Sequence, residues 1–178
     1  MQLKIDKIPV PIFKFKLHWH DDIKKTVLPM IRENDGKTQT DKPADNISKL
    51  DFDDSHDMKR PWVLKILPMI QSELNQMIAR IDQPRITIKQ IWYQTYDKDG
   101  EHGWHTHGCN FTGIYYIDFD KNIHPRTEIK FPFEPNLHKV FDVSEGDILM
   151  FPSFFTHRAP KNTSEVPKTI ISWNADCY

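Results

Sequence analysis

The chain has 178 residues, with 24 basic and 25 acidic side chains and a formal net charge of -1. So close a balance leaves no excess charge to drive capture by duplex nucleic acid or an anionic bilayer. Two cysteines are too few for a disulfide framework and predict a reducing, cytoplasmic setting; no apolar run is long enough for a signal peptide or a membrane span.

The length predicts one domain over 1–178, with an N-terminal strand and helices over 1–84 and a barrel core over 85–178. Thirteen prolines against six glycines, with 12% aromatics, favour short strands and stiff turns over a helical bundle. Residues 8–17 end in alternating apolar and basic side chains, and Pro9 and Pro11 suit an edge strand. Asp21 and Asp22 open a helix over 23–31, where Ile23, Val27, Met30 and Ile31 fall at helical spacing. Residues 33–59 are polar, with little apolar content beyond Ile47, Leu50 and Phe52. They predict a long loop, either a solvated connector or, over 34–57, a lid. Pro61 suits the first turn of a helix reaching Ala79, with Leu64, Leu67, Ile70, Leu74, Met77 and Ile78 as its apolar stripe. Pro68 should kink or divide it.

From Arg85 onward, apolar runs at 86–95, 110–118, 127–131, 139–143, 147–151, 156–159 and 168–174 are separated by turn residues at 97–100, 144–147 and 161–164. Short strands at this spacing predict a mainly β fold with flanking α, a double-stranded β-helix (cupin-like jelly roll) with the N-terminal helices packed on one sheet.

His105 and His107 sit on alternate residues, so on an extended strand both rings point the same way. About fifty residues on, Gly146–Pro152 forms a strand and His157 follows it; a third imidazole arriving from a distant strand completes a mononuclear metal site with open positions. A bare H-x-H pair is equally consistent with packing, and it is the distant partner that favours the metal.

These segments resemble the Fe(II)- and 2-oxoglutarate-dependent oxygenases, most closely their prolyl-hydroxylase-like branch, over 91–178. Tyr96 and the Asp97–Gly100 turn leading to His105 look like that branch's tyrosine, glycine turn and first iron ligand. Thr112–Ile117 looks like its Tyr-Tyr strand, and Phe151 through His157 like its distal-histidine segment. The resemblance implies a dioxygenase, a hydroxylase of a small-molecule or peptide substrate, using molecular oxygen. His105, His107 and His157 would hold Fe(II), and Lys168, Tyr116 and Tyr96 would bind the 2-oxoglutarate cosubstrate. The chemistry supports the second set, since a buried dianion needs a cation and donors. The sequence departs from the family at His107, where a carboxylate is usual, and at Lys168, where arginine is commoner and its two-pronged grip is lost.

Around this core, His102 is expected as an exposed turn residue, with a base reaching the site from behind the ligands as its other reading; Arg158 is expected as a surface ion pair and Trp104 as packing. Asn110 and Trp173 could line the pocket, and Asp118 or Glu128 could replace His107. Cys109 shows no paired base. Two other readings stay open: a three-histidine cupin dioxygenase without cosubstrate, and a metal-free jelly-roll binding module.

Overall fold

Alternation sets the long strands, and the demand to bury both faces of the sheet sets where they lie. The computed structural model describes residues 9–34, 36–39, 45–132 and 134–178. In chain order come β1 (Phe13–Lys16), α1 (His20–Glu33), β2 (Lys37–Gln39), β3 (Asp45–Leu50) and α2 (Pro61–Ile78). They precede β4 (Ile86–Tyr96), β5 (Glu101–His105), β6 (Phe111–Asp118), β7 (Glu128–Phe131) and β8 (Glu134–Val140). The chain closes with β9 (Asp147–Pro152), β10 (His157–Ala159) and β11 (Lys168–Cys177).

Among the described residues these strands form a curled antiparallel sheet in the order β1-β9-β6-β11-β4-β3-β5-β10-β7-β8, with β2 on β3. The sheet turns over at β3. Lys49 and Leu50 pair with Thr95 and Gln94 of β4, while Asp45 and Asn46 pair with His102 and Glu101 of β5. This is the expected mainly β jelly roll with helices on one sheet.

Two apolar layers result. One packs Ile23, Val27 and Ile31 of α1 and Ile66, Ile70 and Leu74 of α2 against Tyr93, Tyr115 and Trp173. The other fills the roll with Trp92, Tyr96, Tyr116, Leu149, Phe151 and Ile170. Burial of each such side chain contributes roughly 1.5–3 kcal/mol. The pleat splits neighbours, so Tyr115 faces the helices and Tyr116 the interior.

Several boundaries differ from the sequence expectation. The N-terminal strand is confined to β1, an edge strand on β9, because Pro9 and Pro11 carry no N–H to pair; residue 8 lies outside the described residues. α1 starts earlier, at His20, and runs through Pro29. α2 is not divided at Pro68: Leu64, whose carbonyl Pro68 cannot bond, is 58% exposed, where water can serve it. Leu64 therefore leaves the apolar stripe, which runs through Val63, Ile66, Ile70, Leu74 and Met77. The predicted long loop instead carries β2, β3 and a 3-10 turn at Phe52–Asp54, and residues 35 and 40–44 of it lie outside the described ones. The strand expected at 139–143 is β8, earlier by several residues and paired with β7; the buried Val143 beyond it packs in the roll. Among the described residues no helix is long and apolar enough to cross a membrane.

Candidate metal centre

Strand pairing brings His105, His107 and His157 together. His157 of β10 lies directly opposite His105 of β5. His107 stands just past the end of β5, where its backbone N–H donates to the Ser153 carbonyl at 3.1 Å and ties it to the end of β9. One ligand atom from each ring lies within 4.8 Å of the others.

Two of the rings are set in one tautomer. His105 Nδ1 lies 2.7 Å from the Gly103 carbonyl and His157 Nδ1 lies 3.0 Å from the Phe155 carbonyl. A carbonyl only accepts, so each Nδ1 carries a proton, and in the neutral ring Nε2 is then the atom with the lone pair. Burial, then the neighbouring His105, pulls His107 down to about 4. Burial, followed by His105, also holds His157 well below the usual histidine range. In His107 and His157 burial favours the neutral imidazole, the form that binds a cation.

Deeper in the roll, Lys168 is 1% exposed, and burial lowers its ammonium to about 7. Its Nζ donates to the Pro125 carbonyl at 3.1 Å and lies 4.9 Å from the centre of the Tyr96 ring. Among the described residues no carboxylate pairs with it. The Tyr96 hydroxyl is buried and without a hydrogen-bond partner, and burial raises its pKa. The Tyr116 hydroxyl, pushed up to about 12 chiefly by burial, donates to Thr127 Oγ1 at 2.8 Å.

The cluster stands at a junction. Inward lies a narrow cavity of about 20 Å³ that touches Tyr96, Thr127 and Ile170. Outward opens a cleft of about 640 Å³ walled by Lys37, Thr38, Phe52 and Asp54. Trp92, Gln94, His102, His105 and His107 border both.

Other candidates separate. Asp118 pairs with Lys24 and Arg32, and Glu128 with Arg158, so neither carboxylate joins the histidines. Arg158 makes the expected ion pair and stacks with Lys130 on Trp104, although the residue also borders the inner cavity beside His157. Asn110 is exposed and its side chain accepts the Cys177 N–H, and Trp173 belongs to the helix-side core; neither lines the cavity. Cys109 contacts Ser153 Oγ and the Phe111 carbonyl, and no base is paired with it. His102 is no exposed turn residue: it is a β5 side chain whose ring stacks on His105 at 3.9 Å. The sequence offered no signal for its neighbour Asp45, because β3 buries every third residue as it crosses between the two parts of the sheet.

No protein-family model matches this sequence, and no curated protein matches it. Solved structures do match in three dimensions. The α-ketoglutarate-dependent epimerase SnoN of nogalamycin biosynthesis superposes with a TM-score of 0.72 at 9% identity, covering 93% of this chain and 77% of that one. The fold is shared with 2-oxoglutarate/Fe(II) oxygenases. A Pseudomonas putida prolyl-4-hydroxylase gives 0.66 at 9% identity, over 93% and 92% of the two chains. A prolyl hydroxylase from Trichoplax adhaerens, solved with a peptide of hypoxia inducible factor, gives 0.65 at 15% identity over 93% and 83%.

Proposed function

We propose that the protein is an Fe(II)- and 2-oxoglutarate-dependent oxygenase that hydroxylates a small-molecule or peptide substrate. The observation that carries this reading is a three-imidazole cluster sharing one roll with a buried ammonium and a buried orphan hydroxyl. His105 and His157 would hold iron through Nε2, and His107 through its own ring. Lys168 and Tyr96 would take the far carboxylate of 2-oxoglutarate. The Tyr116 hydroxyl already donates its hydrogen bond to Thr127, so Tyr96 is the freer donor and Tyr116 contributes once that bond is released.

When bound, iron with 2-oxoglutarate supplies the oxidation: one oxygen atom of O₂ enters succinate as CO₂ leaves, and the other enters a C–H bond of the substrate. The chain's share is geometry and exclusion of water. Trp92 and Ile114 give the cavity apolar walls, and Lys168 supplies a charge without which a buried dianion would be expelled. A cavity of about 20 Å³ holds about one water, so a five-carbon diacid enters only as lining side chains turn aside. The outer cleft, with Phe52 against Trp92, would receive the substrate. Cys109 and Cys177 are unpaired, which supports a reducing, cytoplasmic setting.

The third histidine, in place of a carboxylate, favours one rival: a three-histidine dioxygenase without cosubstrate. Calorimetry under anaerobic conditions separates the two. Iron-loaded protein should bind 2-oxoglutarate, and Lys168→Met should weaken it by about 10- to 100-fold, as expected for a lost charge-assisted hydrogen bond. The rival predicts no binding by either protein.

A further inference from the structure

An imidazole that coordinates through its lone pair carries no charge of its own, so a cation held by three of them keeps its whole charge. One carboxylate nonetheless stands behind them. Asp45, at the start of β3, has a side chain only 9% exposed. Its Oδ1 accepts the Gly103 N–H at 2.9 Å and lies 3.7 Å from His102 Nε2. Its Oδ2 accepts from the Gln39 amide at 3.3 Å, and among the described residues no lysine or arginine pairs with it.

His102 connects this carboxylate to the cluster. The Gln94 amide lies 3.3 Å from His102 Nδ1, and as a donor it fixes that nitrogen as acceptor and leaves the proton on Nε2, facing Asp45. Both nitrogens are thus turned to neighbours, and what His102 offers His105 is its face, at 3.9 Å between centroids and 18° between planes. His105 is held at its edge too, since its Nδ1 bonds the carbonyl of Gly103, the residue whose N–H Asp45 takes. The carboxylate's field also reaches the interior, where after burial it is a cause of the raised Tyr96.

We propose that Asp45 and His102 form an outer support for the metal centre: His102 is the platform that orients His105, and Asp45 lends the negative charge that the three-imidazole set lacks. They are positioning residues, and the inference rests on the reading of His105, His107 and His157 as ligands. Outer groups of this kind are worth about 10- to 100-fold in metal affinity.

The test is a titration of metal-free protein with Co(II), read by its visible d–d bands, in wild type, Asp45→Asn, His102→Ala and His102→Phe. Asp45→Asn keeps shape and removes charge, and should lose about 10-fold in Co(II) affinity. His102→Ala should lose 10-fold or more, and His102→Phe, which restores a flat face, should recover part of that loss. Azide added to the Co(II) proteins reads the charge alone: with Asp45 neutralised the anion should bind several-fold more tightly, whereas mere loosening of the site would not strengthen it. Far-ultraviolet circular dichroism confirms folding, and His102→Phe alone still decides if His102→Ala fails to fold. Variants that match wild type in Co(II) affinity and azide binding would overturn the inference while leaving the metal centre standing. A wild type that binds no Co(II) would remove the centre and this support together.

Discussion

Lys168 is costly to bury. An ammonium buried to 1% exposure, with a carbonyl and an aromatic face as its neighbours, gives up hydration without a counter-charge. Its folded pKa of about 7 lies below the unfolded value of about 10.4, so between these pH values the unfolded chain holds a proton that the folded one has released. Stability from this group therefore rises with pH through that window, and the penalty is complete below about pH 7. Titratable Tyr96 and His124 lie beside it, and comparison with a variant isolates the lysine. Lys168→Met should be the more stable protein at pH 6.5 by about 1–4 kcal/mol, with the gap closing towards pH 10, measured by urea unfolding. A variant that is less stable at both pH values would mean the ammonium has a partner. In iron-loaded protein, 2-oxoglutarate should act in the opposite sense, stabilising wild type more than the variant. At this scale the clustering of His105, His107 and His157 was legible because the residue types and spacing are distinctive. Asp45 was not, since a carboxylate in a polar stretch looks like surface, and His102 was legible only as the lesser of two readings, since a histidine after a turn looks like surface too.

Elements carry the next tier, and close approach decides them. A Cβ at Gly113 of β6 would lie 2.1 Å from the Trp173 ring on β11, at the centre of the helix-side core. Gly113→Ala should cost at least about 1–3 kcal/mol in thermal unfolding through overpacking. Gly108→Ala, with nothing within 4 Å of the added Cβ, should be neutral, and equal effects from the two would contradict this packing. The N-terminus of α2 is tied down by Arg60, whose guanidinium bonds buried Asp51 and the Ile91 carbonyl while Asp51 also takes the Tyr93 N–H and the Trp62 indole. Arg60→Leu leaves that carboxylate unpaired and should cost about 3–5 kcal/mol, read by denaturant unfolding. Amphipathic periodicity made α2 readable, and apolar runs bounded by turn residues did the same for β4, β6, β9 and β11. It failed for β3, which serves two parts of the sheet and so has no constant inward face, and for Pro68, whose helix continues because the missing hydrogen bond falls on the wet side.

For the whole molecule, the curled sheet creates two interiors, one sealed by helices and one holding the histidines between a buried cation and an open cleft. The overall architecture followed from strand spacing and turn residues, whereas the narrowness of the inner cavity depends on side-chain packing that no spacing encodes. The account stands on a divalent ion and a keto acid meeting at His105, His107 and His157. The most direct measurement is the visible spectrum of anaerobic protein given Fe(II) and 2-oxoglutarate. A weak charge-transfer band should appear in wild type and be lost in His157→Ala. A wild-type spectrum unchanged by the keto acid, or a band that survives in His157→Ala, would contradict it.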